Sequence, residues 1–157
     1  MQLKETYTPT EWSEREKHYF EQIQGLTIPL DPNPKAIVAL ESAIDSVLSE
    51  ALIEKAYLKR RYDKAEQDMK LSEKELHFQI KTDPNNAGLK LTADDVKSLI
   101  TIELRSRPLQ GYPTDIYSIV RSIGYRLSFV EEVVRTLHEK KQSLIIISSM
   151  MKIESGM

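Results

Sequence analysis

The stretch PKAIVALESAIDSVLSEALIEKAYLKRRYDKAEQDMKLSEKELHFQIK, residues 34–81, holds no glycine and no proline after Pro34. One helix over this length spans about 70 Å at ~1.5 Å per residue, longer than a compact domain of this size needs. Its apolar residues Ile37, Leu40, Ile44, Val47, Ala51, Leu58, Ala65, Met69 and Leu76 recur largely at alternating steps of three and four, a heptad seam. Polar Glu54 and Arg61 interrupt the seam. A second row, Val38, Leu48 and Leu52, widens the apolar stripe in the first half, and a stripe that wide calls for more than one partner helix.

Upstream, Leu30-Asp31-Pro32-Asn33-Pro34 breaks the chain, with Asn33 suited to the cap and Pro34 to the first helical position. Before it, a short helix is expected from Glu11 to Gln24, with Thr10 as its N-cap and Gly25 as its stop. Downstream, Thr82 to Gly88 reads as a loop. Thr92-Ala93-Asp94-Asp95 has the form of a capping box and opens a short helix to about Arg105. Pro108, Gly111 and Pro113 mark a turn. A last helix is expected from Thr114 or Asp115 to Glu154, about 60 Å long. Its stripe is Ile116, Ile119, Ile123, Leu127, Val130, Val134, Leu137, Leu144 and Met151, with Lys141 an interruption. Gly124 costs about 1 kcal/mol in a helix interior and would permit a close helix contact.

These segments predict an all-α fold: a long antiparallel helical hairpin or coiled coil with short flanking helices. A hairpin alone would leave much of both stripes wet, so an oligomer is expected. Residues 1–34 form an amino-terminal extension with a short helix, and residues 35–157 the long hairpin and oligomerisation domain.

The composition is that of an ordinary soluble chain: 157 residues, 40% hydrophobic, 29% charged, formal net charge −2. That balance excludes a strongly basic nucleic-acid module but not a local basic patch. Cysteine is absent, which removes disulfides, thiolate catalysis and cysteine-ligated metals and fits a reducing, cytoplasmic location. No apolar leader segment stands at Met1 to Thr10, and the run Leu144 to Met151 is too short to span a membrane. No nucleotide-binding glycine motif occurs. Glu14/His18 and Glu73/His77 each share a helix face, as half of a metal site or as a surface pair, but the repeated Glu-x-x-His of a bundle di-metal site is missing. No nucleophile with a base is found. The chain therefore reads as non-catalytic, without metal or cofactor.

The segment Lys55 to Lys64 carries five positive charges against one negative, and Glu66 to Glu75 is net −2. Lys55, Lys59, Arg60, Arg61 and Lys64 are candidate phosphate contacts, with Tyr57 or Tyr62 stacking on unpaired bases, the chemistry of sequence-tolerant single-strand binding. The same alternation of charge also suits a solvated coiled-coil flank laced with salt bridges, and Tyr57 beside Leu58 also suits a core position.

The order of a Lys-x-Arg-x-Asp centre (Lys59-Arg60-Arg61-Tyr62-Asp63), an acidic second half, a polar loop and a closing helix with an apolar tail resembles the UvsY-type recombination mediator proteins of tailed phages. The resemblance covers roughly Ala36 to Lys152. It implies a helical protein that assembles into a ring, binds single-stranded DNA and helps a strand-exchange recombinase displace the single-strand-binding protein, in the host cell cytoplasm if phage-encoded. The family's DNA-contacting pair maps to Lys59 and Arg61, and its assembly helix to Leu144 through Met151. This chain departs in its longer amino-terminal extension and in the extra Arg60. Since Leu144-Ile145-Ile146-Ile147 is apolar on every face, a subunit contact is expected at Leu137, Leu144, Ile145, Ile147 and Met151. The competing reading is a non-catalytic coiled-coil adaptor, structural or inhibitor protein of a phage that binds a protein partner with the same helices.

Overall fold

Helices make up the regular structure of the described residues, which are Leu3, Lys4 and 6–156 of this computed structural model. Met1, Gln2, Glu5 and Met157, which belong to the expected extension and carboxy-terminal domain, lie outside the described residues. The elements are α1 (Pro9–Gly25), α2 (Pro34–Thr82), a short 3-10 turn (Pro84–Asn86), α3 (Ala93–Ser106) and α4 (Ile116–Glu154). No strand occurs among the described residues, so the chain is all-α.

The caps explain where each helix starts. Asn33 Oδ1 accepts from the Ala36 N–H at 2.9 Å, and Asp115 Oδ1 accepts from the Ser118 N–H at 3.1 Å. The capping box of α3 is complete: Thr92 Oγ1 accepts from the Asp95 N–H at 3.1 Å, and the Asp95 carboxylate accepts from the Thr92 N–H at 2.8 Å. The start of α1 differs from expectation. Its cap is Thr8, not Thr10, and Pro9 stands at the first helical position. Thr8 wins because Glu11 lies three residues on and closes a reciprocal box with it, which Thr10 has no partner to match.

The chain divides into two compact units, one holding residues up to Leu58 and from Leu127 onward, the other Lys59–Arg126. In the first unit, the seam of α2 buries Ile37, Ile44, Val47, Ala51 and Leu58, and α4 buries Val130, Val133, Leu137 and Leu144. Each such side chain contributes about 1.5–3 kcal/mol on leaving water. The Lys141 interruption is answered across the helices, where its Nζ lies 2.6 Å from Asp45 Oδ1. The sequence of α1 adds an aromatic face. Trp12, Tyr19 and Phe20 meet Phe129 of α4 at ring-centroid distances of 6.0, 6.3 and 5.8 Å, and the Lys140 ammonium donates to the Leu26 carbonyl at 3.2 Å.

Glu54, the polar interruption of the α2 seam, is fully buried, and so is Arg15 of α1. Arg15 Nη2 lies 2.7 Å from Glu54 Oε2 and 2.6 Å from Glu50 Oε1. The Tyr19 hydroxyl donates to the same Glu54 oxygen. A carboxylate out of water is tolerable only when paired and hydrogen-bonded, so Glu54 ties α1 to α2. Burial would lower the guanidinium pKa, but the Glu54 and Glu50 carboxylates outweigh it and hold Arg15 firmly charged.

In the second unit, Ala65 of α2 is buried with Val96, Ile100 and Leu104 of α3, which recur every four residues on one face, and with Ile116 and Ile123 of α4. Gly124 serves a close approach: a Cβ there would stand 3.3 Å from Tyr62 Cε2.

Arg15→Ala should lower the unfolding free energy by about 3–5 kcal/mol, because it leaves Glu54 buried without a cation. Adding Glu54→Leu should recover most of that loss; urea melts followed through Trp12 fluorescence would check both. Glu50 gives the pH response. Burial raises its pKa, but hydrogen bonds from Arg15 and His18 outweigh burial and leave it lowered. A depressed carboxyl stabilises the fold above its unfolded pKa, about 4.3, and that stability is lost as pH falls through the folded value. The acid unfolding midpoint reported by Trp12 should therefore move in Glu50→Gln; an unmoved midpoint would exclude Glu50 as a contributor.

Candidate functional site

The basic centre of α2 is helical throughout, and within each unit the placement of its side chains follows from helical spacing. Lys55 belongs to the first unit and is half-buried. Lys59, Arg60, Arg61, Tyr62 and Lys64 belong to the second. Arg60 is exposed and Arg61 half-buried. Lys59 is 57% exposed and lies 2.6 Å from Asp63, which raises its pKa. Lys64 is 73% exposed and lies 3.0 Å from Asp68. Both contacts join i and i+4 on one helix face. Pairs of this kind are weak and screened by salt, so a phosphate can take over the cation without unfolding anything.

The tyrosines divide their duties. Tyr62 is half-buried against Gly124, with Lys59 Nζ 5.9 Å from its ring centroid. Tyr57 is half-buried in the first unit. Tyr112 lies 5.8 Å under Lys64 Nζ and donates from its hydroxyl to Asp68 at 2.5 Å. Desolvation and that hydrogen bond push its pKa up to about 12, while Tyr112 and Lys64 together lower that of Asp68. Tyr112 was not among the residues singled out by sequence. It falls in the turn after Gly111, and nothing in its spacing ties it to a helix 44 residues earlier.

The residues expected at a subunit contact are split by the fold. Leu137 and Leu144 are fully buried within the chain itself. Ile147 and Met151 are half-buried, and Ile145 is 46% exposed. Ile145 and Met151 line a groove of about 700 Å³ with Ile37 and Val38 of α2, flanked by Glu41 and Lys152. Ile146, Met150 and Ile153 of α4 are also exposed.

His18 meets Glu50 of α2 at 3.1 Å rather than Glu14 of its own helix, and no group of three or more candidate ligands exists among the described residues. No helix of the described residues is long and apolar enough to cross a membrane. None of the protein-family models, curated proteins or solved structures compared with the chain matches it.

Asp63→Ala should leave the thermal midpoint of the chain unchanged, since it removes only an exposed pair. Asp68→Ala should lower the midpoint, because Tyr112 then loses its acceptor, and an ultraviolet titration should show one tyrosine ionising below its parent value. Tyr112 is a raised group, so its contribution is complete below the ordinary tyrosine pKa, about 10, and is lost as pH rises towards about 12.

Proposed function

We propose that the chain is a non-catalytic, homo-oligomeric DNA-handling protein of the UvsY-like recombination mediator type, folded as an antiparallel coiled-coil hairpin. In this reading α2 binds single-stranded DNA through Lys55, Lys59, Arg60, Arg61 and Lys64, with Tyr62 offering the free part of its ring for stacking. The bound strand is presented to a strand-exchange recombinase while the single-strand-binding protein is displaced.

One observation carries the proposal: a ten-residue helical segment of net +4 in a chain of net −2, in which Lys59 and Lys64 are exposed and each is paired with an aspartate one turn on. Exchange of an aspartate for a phosphate releases counterions, so affinity should fall steeply with salt. Weak single sites gain by repetition in an oligomer, where one strand meets several basic segments at high effective concentration. The exposed apolar surface around Ile145, Ile147 and Met151 is the proposed subunit contact, while Leu137 and Leu144 support it from inside the protomer.

A second reading, a coiled-coil adaptor or inhibitor binding a protein partner, is favoured by the same uncovered groove between Ile37 and Met151. It assigns the Lys59–Asp63 and Lys64–Asp68 pairs to solubility alone.

Fluorescence anisotropy with a labelled single-stranded oligonucleotide, at low and physiological salt, separates the two. The double variant Lys59→Ala/Arg61→Ala should bind at least tenfold more weakly while keeping parent helicity and mass. Equal affinity in parent and variant, or no binding at low salt, would remove the DNA assignment and leave the adaptor. Ile145→Asp with Ile146→Asp should lower the mass seen by light scattering without changing the circular dichroism melt; an unchanged mass places the subunit contact elsewhere.

A further inference from the structure

Three helices of the second unit converge on a cleft of about 690 Å³. From α2 come Lys70, Lys74 and His77, from α3 Lys97 and Ile100, and from α4 Tyr117. Positions 70, 74 and 77 share one face of α2, and 97 and 100 share one face of α3, so the convergence follows from helical spacing. The acid among the lining residues, Glu73, accepts the Tyr117 hydroxyl at 3.0 Å and keeps its charge, so three lysines stand against one carboxylate. Lys70 has a loose contact with Glu66 at 3.4 Å. Lys74, His77 and Lys97 make no ion pair among the described residues.

Lys74 and Lys97 bring two ammonium groups without an ion pair to one opening, and an anion that bridges them removes their repulsion. The floor is of another kind. Ile100 is buried, and the Tyr117 ring carries the Arg105 guanidinium at 5.8 Å. An inorganic ion would use the rim and leave this floor wet. A volume of this size lies in the range of ligand pockets, roughly 300–1,000 Å³, which pair an apolar lining with a few placed polar groups.

We propose that this cleft binds a small organic anion, a phosphate or carboxylate carried on a flat apolar body. The anionic group sits among Lys70, Lys74 and Lys97, and the apolar body lies on Ile100 and Tyr117. The residues differ from those of the basic centre, so this site stands or falls apart from the DNA reading.

The full chain, labelled at its isoleucine methyls, is titrated at low salt with adenosine 5′-monophosphate, with 2-naphthoate, and with uncharged adenosine, watching the Ile100 methyls by NMR. Both anions share the required chemistry; tighter binding of the first identifies a nucleotide-like ligand, tighter binding of the second a carboxylate. Adenosine should bind at least tenfold more weakly than the preferred anion. Lys74→Gln/Lys97→Gln should weaken that anion at least tenfold with an unchanged melt, whereas Lys59→Ala/Arg61→Ala should leave its affinity as it was. Absence of a saturable shift with either anion at millimolar concentration, or equal affinity in the Lys74/Lys97 variant, overturns the proposal.

Discussion

A carboxylate without access to water must be met by a cation and by hydrogen-bond donors, and Glu54 is such a group. Its place in the heptad seam of α2 aims it at the interior of the first unit, where an apolar residue would otherwise stand. Arg15 supplies the charge and Tyr19 a further donor, both from α1 and one helical turn apart. The amino-terminal helix is thereby held to the core by an interaction that an apolar surface alone would not specify. Replacing such a pair by matched apolar residues is often harmless, whereas losing one member is not.

The aromatic contacts act in the same direction. Phe129 of α4 receives Trp12, Tyr19 and Phe20 within one small patch. Edge-to-face rings have preferred distances and tilts, so they orient α1 as well as bury it. Against this, Val38 and Leu52 of α2 stay exposed. The second apolar row of α2 is buried at Leu48 and open at Val38 and Leu52, with Val38 lining the groove that ends at Met151.

The second unit is organised differently. Its core is smaller, and tyrosine hydroxyls reach acids of α2 from the turn before α4 and from α4 itself: Tyr112 on Asp68 and Tyr117 on Glu73. The hydroxyls are neutral, so both acids keep their charge, and Asp68 still pairs with Lys64. Cation exceeds acid locally because charge is spread unevenly along the sequence: Lys55 to Lys64 is net +4 in a chain of net −2.

The helices themselves were legible in the amino-acid order, because backbone hydrogen bonding, capping and glycine or proline punctuation act within a few residues. Asn33, the Thr92–Asp95 box and Asp115 show this, and the misplaced cap at Thr10 fails only because a reciprocal partner three residues on decides between neighbouring threonines. The seam residues Ile44, Ala51, Leu58, Leu137 and Leu144 were also legible, since burial follows helical period. Glu54, Lys141 and Tyr112 were not. Each is explained by a partner 35 to 96 residues away in sequence, and local spacing carries no information on which distant charge will face which. The order of residues determined where helices form and which face each buries. Only the tertiary structure decided which polar interruptions are paired, which lysines keep their charge unanswered, and which apolar residues of α4 remain at the surface.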